Sequence, residues 1–223
     1  MRKHYQIAID GPAGSGKSTV AQLIANKLGF LYIDSGAMYR AVTLYLFKNK
    51  LIKKSDSLLK KHLKKMDIQF INKDIQQLVF LNGANVTNKI RSLQVNKLVS
   101  EVSAKSIIRK EMVKRQRMFA FYNSVVMDGR DIGTNVFKNA DLKIYLTAST
   151  LVRAKRRKKD LIKMSEIIKL KDLEKQIQWR DNYDSSRKLS PLCKSQDAVV
   201  IDSTDLTVNQ VIDTINVFLP FNR

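Results

Sequence analysis

A glycine-rich run near the start of the chain has the residue types and the spacing of a phosphate-binding loop. It fits the pattern G-x-x-x-x-G-K-[S/T], in which the lysine reaches the β- and γ-phosphates and the hydroxyl binds Mg²⁺. Glycines let the backbone curl around a phosphate, so that successive N–H groups point at the anion. The sequence therefore predicts a nucleoside triphosphate site. Its predicted residues are Gly11, Pro12, Ala13, Gly14, Ser15, Gly16, Lys17, Ser18 and Thr19, with Ser18 also a metal ligand.

Three other polar clusters contain residues suited to binding a second ligand. Residues 34–40 (DSGAMYR) and 128–134 (DGRDIGT) follow predicted strands, and the carboxyl ends of strands in an open α/β sheet are where ligands bind. The third cluster carries Arg180, Asp184 and Arg187, which share one face if the segment is helical. Taken alone, this spacing equally fits a surface ladder of ion pairs.

The elements that must position these residues alternate between strand and helix. Short apolar runs predict strands over 5–10, 30–34, 124–128, 142–146 and 198–202, with helical stretches between them. This alternation is typical of an α/β fold with a five-stranded parallel sheet and helices on both faces. A closing helix over 207–219 would place Val208, Val211, Ile212 and Ile215 on one face.

Two regions interrupt this alternation. The first, 48–122, contains a lysine-rich helix over 55–65, a hairpin of strands at 69–71 and 78–81, and helices over 92–104 and 106–122. The second, 150–188, is helical and charged. We therefore expect a core made of 1–47, 123–149 and 189–223, with 48–122 inserted in it and 150–188 as a helical appendage.

The composition narrows the class of protein. At 223 residues and 44% hydrophobic content, the chain can bury one core and a smaller appendage. It has no apolar run of about 20 residues and no signal-peptide pattern, and Cys193 is its one cysteine, so we expect a cytoplasmic protein without a membrane partner.

The formal charge of +21 fits either a nucleic-acid partner or a solvated lysine surface with a basic cleft for phosphates. The even spread of Lys and Arg along the chain favours the second interpretation.

Taken together, the three polar clusters resemble those of bacterial cytidylate kinases, members of the nucleoside monophosphate kinase group. The resemblance extends over essentially the whole chain and includes the stretch from Arg180 to Ser203. It implies a phosphate-loop kinase core, a monophosphate-binding domain in the 48–122 insertion and a lid in 150–188. It further implies ATP with Mg²⁺, CMP or dCMP as acceptor, a role in pyrimidine metabolism and a monomer with no obligate nucleic-acid partner. The sequence departs from the family at Lys138 and Asn139, where a Pro-Asp pair is expected, and over 53–75.

The resemblance also implies roles for individual residues. Arg40, Arg130 and Arg187 would clasp the CMP phosphate, since a guanidinium donates bidentately to phosphate oxygens. Asp128 resembles a Walker B carboxylate that holds Mg²⁺, and the alternative is an N-cap or a partner of Arg130. The implied catalytic residues are Lys17, Arg130, Arg153 and Arg157. The implied CMP-binding residues are Ser35, Arg40, Ser100, Arg109, Arg130, Asp131, Arg180, Asp184 and Arg187.

Base choice has a chemical basis in three of these residues. Asp131 would accept from the N4 amino group of cytosine, while Arg109 and Ser100 would donate to N3 and O2. Uracil reverses two of these groups, and each mismatched buried polar group costs about 1–3 kcal/mol. Arg180 and Asp184 would meet the sugar.

Other functions stay open at this point. One is a kinase for UMP, dTMP or shikimate. A regulatory GTPase lacks support, because no N-K-x-D run is found. The alternative from another class is an ATP-dependent nucleic-acid-binding protein, which the basic cluster Lys105, Arg109, Lys110, Lys114, Arg115 and Arg117 suggests.

Overall fold

The structure is a computed structural model that describes residues 4–73, 76–162 and 168–219. In chain order its strands and helices are β1 (Gln6–Asp10), α1 (Lys17–Leu28), β2 (Leu31–Asp34), α2 (Ser35–Lys48), α3 (Asp56–Lys65), β3 (Ile68–Lys73), β4 (Gln76–Leu81), β5 (Ala84–Asn85), α4 (Leu93–Ala104), α5 (Ser106–Tyr122), β6 (Val125–Gly129), β7 (Leu142–Thr147), α6 (Thr150–Ile162), α7 (Leu170–Ser185), β8 (Val199–Asp202) and α8 (Val208–Asn216). A 3₁₀ turn (Lys89–Arg91) precedes α4, and a π-helical turn (Ile132–Val136) follows β6.

The central sheet has five parallel strands in the order β2-β6-β1-β7-β8. Because side chains alternate along a strand, β1 sends Ala8 into the apolar cluster on one face and Ile7 and Ile9 into that on the other. All residues of β6 are buried, as expected for a strand covered on both sides. The predicted five-stranded parallel α/β sheet is therefore confirmed, with each strand within one residue of its predicted ends.

The closing helix is shorter than predicted. Helix α8 begins after Thr207, whose side chain forms a capping box with Gln210, and it ends at Asn216. The helical spacing places Val208, Val211, Ile212 and Ile215 on one face as predicted; Val211 and Ile215 are buried, whereas Val208 is 42% exposed. Val208 occupies the first turn, which lies at the rim of the apolar face.

The insertion between α2 and β6 is attached to the edge of the central sheet. The Gln77 side chain donates to the Tyr32 carbonyl at 2.6 Å and accepts from the Asp34 N–H at 3.2 Å. The Gln77 side chain thus bonds the backbone groups of β2 that an additional neighbouring strand would otherwise bond. The predicted hairpin is confirmed as β3 and β4, and it lies beside the carboxyl end of β2.

Helices α6 and α7 pack on one another through a small apolar cluster of Ala154, Leu161, Leu173 and Ile177. The predicted helical region 150–188 is thus two helices, and residues 163–167 lie outside the described part of the chain. The domain boundaries stay a prediction. Among the described residues, no helix has the length and apolar character needed to span a membrane.

Candidate functional site

The glycine-rich loop joins β1 to α1 at the carboxyl edge of the sheet. Gly11, Gly14 and Gly16 have φ of 149°, 78° and 93°, in the region that favours glycine. A Cβ on Gly11 would lie 2.0 Å from the Leu146 carbonyl oxygen. The loop leads into the N-terminus of α1, whose free N–H groups and dipole favour an anion. This geometry fits the predicted triphosphate cradle.

Lys17 is buried within this loop. Its Nζ donates to the Pro12 carbonyl at 2.7 Å, a bond that stays inside the loop. Burial, together with repulsion from Arg130, lowers the pKa of Lys17 below its ordinary value. An anionic ligand in the loop would oppose both effects and favour the charged ammonium.

Asp128, the last residue but one of β6, lies beside the loop and accepts two side-chain hydrogen bonds. Ser18 Oγ donates to one carboxylate oxygen at 2.8 Å and Tyr32 Oη donates to the other at 2.9 Å. Burial raises the pKa of Asp128, and Asp34, its neighbour across the β2–β6 ladder, raises it further. The two predicted metal ligands, Ser18 and Asp128, are therefore in contact. Sequence reasoning missed Tyr32, which comes into contact only because β2 lies next to β6.

Ser35, predicted to bind the acceptor nucleotide, begins α2 directly after the Asp34 N-cap. Its hydroxyl donates to the Asp128 carbonyl at 2.6 Å, so it links the start of α2 to the end of β6. It lies at the same sheet edge as the phosphate loop.

Two arginines from different parts of the chain meet at Asp184, and a third lies near one of them. Arg130 Nε, after β6, contacts its carboxylate at 3.0 Å, and Arg187 Nη1 lies 3.6 Å from the other oxygen. Burial lowers the pKa of Arg40, on α2, and repulsion from the nearby Arg130 acts in the same direction. The spacing would place Arg187 on one helix face with Arg180 and Asp184 if the segment were helical throughout. Helix α7 ends at Ser185, however, so Arg187 lies beyond the helix.

Positive charge exceeds negative charge at this cluster. Burial lowers the pKa of Arg180 to about 9, and repulsion from Arg40 and Arg130 acts in the same direction. Arg180 Nε and Arg187 Nη2 are buried and have no hydrogen-bond partner within the described ranges. Buried donors without acceptors are costly, so the cluster is well suited to accept an anion.

Arg109 and Asp131, predicted to read the base, form a buried ion pair at 2.6 Å. Arg109 also donates to the Ser103 carbonyl at 3.1 Å and stacks over the Tyr39 ring at 5.2 Å. Ser100 is buried in the same helix, α4, as Ser103. The pair places a carboxylate next to a guanidinium, an acceptor next to a donor.

The arginines at the start of α6 differ in their surroundings. Arg153 is buried and its guanidinium donates to the carbonyls of Ala13 and Ala148 and to Asp181. By contrast, Arg157 is partly exposed, and its charge reaches Arg40 and Arg180. The two predicted catalytic arginines of the helical region thus occupy unlike positions. Arg153 is bonded to the phosphate loop, and Arg157 lies near the acceptor cluster, the name used below for Arg40, Arg130, Arg180, Asp184 and Arg187.

Two further side chains support the loop, and sequence reasoning missed both. Arg156 donates to the Ser15 carbonyl at 3.2 Å and to the Ser203 carbonyl at 2.7 Å. Asp10, just before Gly11, accepts from the backbone N–H groups of Ile132 and Gly133. Their partners lie far away in sequence, so no local motif indicates either contact.

The side chains of the basic cluster, which begins at the N-cap of α5 and continues along that helix, mostly bind groups within the fold. Lys105 donates to the Ile52 carbonyl, Arg115 to the carbonyls of Leu63 and Met66, and Arg117 to those of Asn135 and Val136. Arg109 is paired with Asp131. Of the cluster, Lys110 and Lys114 remain as exposed lysines for which no such contact is seen in the described residues.

Comparison with known proteins identifies close relatives. A family model described as cytidylate kinase matches residues 7–219. The chain is 48% identical to a cytidylate kinase from Geobacillus and 47% identical to one from Ligilactobacillus salivarius, with 96% of both chains covered in each case. Among solved structures, an uncharacterised protein from Eubacterium ventriosum shares the fold at 13% identity, with a TM-score of 0.52 and coverage of 96% of this chain and 98% of the other.

Proposed function

Because the chain belongs to the cytidylate kinase family, we infer that it transfers the terminal phosphoryl group of ATP to CMP or dCMP, giving ADP and CDP or dCDP. The observation that carries the assignment of sites is the convergence of Arg130 and Arg187 on Asp184 at the sheet edge that also holds the phosphate loop. The roles below follow from that arrangement.

ATP occupies the loop 11–19, with its phosphates against the backbone N–H groups and Lys17 at the β- and γ-phosphates. The amine must exchange the Pro12 carbonyl for phosphate oxygens, a short displacement within the loop. Arg153 and Arg156 donate hydrogen bonds to backbone carbonyls of the loop, and these bonds keep the loop in its phosphate-binding conformation before ATP binds.

Mg²⁺ fits beside Ser18 and Asp128. Magnesium in kinases takes one or two protein oxygens together with phosphate oxygens and waters, and a hydroxyl 2.8 Å from a carboxylate supplies such a pair. When bound, the ion neutralises phosphate charge. Tyr32 keeps the second Asp128 oxygen oriented.

The CMP phosphate occupies the arginine cluster of Arg40, Arg130 and Arg187, with Arg180 and Asp184 meeting the sugar. Two polyanions must come together, and their repulsion costs on the order of several kcal/mol at an effective dielectric near 20. Guanidinium donors offset it and align the acceptor oxygen with the γ-phosphorus, so no covalent intermediate is needed. Arg157, on α6, places a positive charge beside the phosphoryl group during its transfer and stabilises the negative charge there.

The Asp131–Arg109 pair reads the cytosine edge. Cytosine presents the N4 donor next to the N3 acceptor, which is the complement of a carboxylate beside a guanidinium. Uracil presents O4 and N3–H in those places and leaves both protein groups mismatched. Ser100 donates to O2.

Closure of the insertion and of α6–α7 over the substrates completes the site and excludes water. A matching rate of ATP hydrolysis with and without CMP would contradict this. The monomeric state and the cytoplasmic location stay predictions, which light scattering and cell fractionation would test.

A coupled ADP-release assay with CMP, dCMP, UMP, GMP and AMP as acceptors tests the function. We expect CMP and dCMP to be the best acceptors. Preference for UMP would contradict the account of base reading, while RNA-stimulated ATPase activity without CMP phosphorylation would support the nucleic-acid alternative. The internal contacts of the α5 arginines weigh against that alternative.

A further inference from the structure

Asp10 is a buried carboxylate to which the reaction described above gives no role. It is 5% exposed, and its two oxygens accept from successive backbone N–H groups, Ile132 at 2.8 Å and Gly133 at 2.7 Å. Burial raises the pKa of Asp10 despite these bonds. A buried carboxylate is costly to keep, so its retention at the sheet edge calls for an explanation.

The segment that Asp10 binds is the π-helical turn (Ile132–Val136) directly after Asp131. The first N–H groups of a helical turn have no partner within it. The Asp131 carbonyl accepts from Asn135 at 2.9 Å and from Val136 at 3.2 Å, so Asp131 begins the turn. Asp10 therefore caps the turn from another strand, and single π turns are frequent at functional sites.

Asp10 also lies between the two substrate sites. It immediately precedes Gly11, the first residue of the phosphate loop, and the charges that act on it include Asp131 and Lys17. Its bonds thus connect the start of the ATP loop to the turn that carries Asp131. On the other side, Asp131 is held by Arg109 at 2.6 Å.

We propose that Asp10 is a positioning residue for base recognition: it fixes the backbone of the turn after Asp131, so that the Asp131 carboxylate and its partner Arg109 meet the cytosine edge in one orientation. This inference rests on the proposed function, in which that pair reads the base. Asp10 touches neither substrate, and its effect reaches the acceptor through the turn.

Asp10→Asn is the informative variant because it keeps the shape of the side chain. The amide can accept from only one of the two N–H groups and presents its own NH₂ to the other, so the turn loses its fixed geometry. We expect the ratio of kcat/KM for CMP to that for UMP to fall about tenfold or more, the size of one lost buried hydrogen bond. The KM for CMP should rise more than the KM for ATP. Because both acceptors are measured on one preparation, the ratio is independent of the folded fraction.

Asp141→Asn is the matched control. Asp141 also accepts a backbone N–H, that of Gln6 at 2.7 Å, but beside the start of β1, at the opposite end of that strand from Asp10. Asp141 is exposed, so its variant should keep both the stability and the CMP-to-UMP ratio of the wild type, whereas a merely structural role for Asp10 would reduce the thermal stability of Asp10→Asn and leave that ratio unchanged. An unchanged ratio in Asp10→Asn would overturn the inference.

Two further measurements separate this inference from the proposed function. Wild type that does not prefer CMP, or Asp131→Ala that keeps the preference, would show that the account of base reading is wrong whatever Asp10 does. If wild type and Asp131→Ala behave as expected but Asp10→Asn keeps the CMP-to-UMP ratio of the wild type, only the role of Asp10 is refuted. If Asp10→Asn does not fold, Asp10→Glu is measured in the same way, and failure of both to fold would assign Asp10 to stability instead.

Discussion

The phosphate loop and the acceptor cluster are neighbours at one sheet edge, yet they satisfy their polar groups in opposite ways. Around the loop, each charged side chain has protein partners: Arg153 and Arg156 bind its carbonyls and Lys17 binds Pro12. In the acceptor cluster, Arg180 Nε and Arg187 Nη2 are buried with no partner in the described part of the chain, and the arginines repel one another. The phosphate loop is thus preorganised by its own contacts, whereas the acceptor cluster holds positive charges whose mutual repulsion a bound anion would reduce.

The largest effect should come from Lys17, the charged group of the loop that faces the arginines. Lys17→Met removes the ammonium at the γ-phosphate, and we expect kcat/KM for ATP to fall by about 10³-fold. The measurement is the coupled ADP-release assay, with Lys27→Met, an exposed lysine on the same helix, as control. Loss of less than tenfold would show that the loop does not carry the reacting phosphate.

Stability should depend on pH through Asp10. Burial raises its pKa to about 6 from an ordinary value of 3.8, so the folded protein holds this proton more tightly than the unfolded chain. The contribution of Asp10 to the free energy of unfolding is therefore full below pH 4 and is lost as pH rises through 6. Between pH 4 and 7 the wild type should lose about 2 kcal/mol relative to Asp10→Asn, because one pKa unit is worth about 1.4 kcal/mol and part of the loss lies below pH 4. Urea unfolding at four pH values measures this, and parallel curves would contradict it.

Arg153 should behave as a structural residue of the loop region. Arg153→Met leaves the Ala13 carbonyl and Asp181 without their donor, and we expect the free energy of unfolding to drop by about 2–3 kcal/mol. Lys155→Met, on the exposed side of α6, serves as control and should change little. An Arg153→Met protein as stable as wild type, but inactive, would place Arg153 with the acceptor arginines instead.

Arg180 should show the opposite signature. Arg180→Met relieves repulsion and removes an unpartnered buried donor, so the free protein should be as stable as wild type or more so. The KM for CMP should rise about 10–30-fold, the worth of one charge-assisted hydrogen bond. Steady-state kinetics and thermal melts of this variant and of Lys175→Met, an exposed neighbour on α7, test the contrast. A destabilised Arg180→Met would remove the distinction between the two regions.

The sequence predicted what depends on local patterns. The glycine loop, the five strands and the helix Ser106–Tyr122 follow from spacing within a few residues, and the structure has them close to the predicted bounds. Asp34, Asp128 and Asp131 were predicted to lie together because parallel strands present their carboxyl ends at one edge of the sheet.

The rest depends on which distant segments meet. Tyr32 contacts Asp128 because β2 pairs with β6, and Asp10 binds Gly133 because β1 lies next to β6. Arg153 and Arg157 belong to one helix and one basic run, and only packing gives them different partners. The α5 cluster suggested a nucleic-acid surface, yet its arginines bind carbonyls of the fold.

Isothermal titration of CMP and of cytidine, without ATP, tests most directly whether the arginine cluster is the acceptor-phosphate site. The two ligands differ only in the phosphate, so the account predicts that CMP binds at least about 100-fold more tightly, equivalent to two charge-assisted hydrogen bonds. Arg130→Met should remove most of that difference and leave cytidine binding unchanged. Equal affinities for CMP and cytidine in the wild type would contradict the central claim.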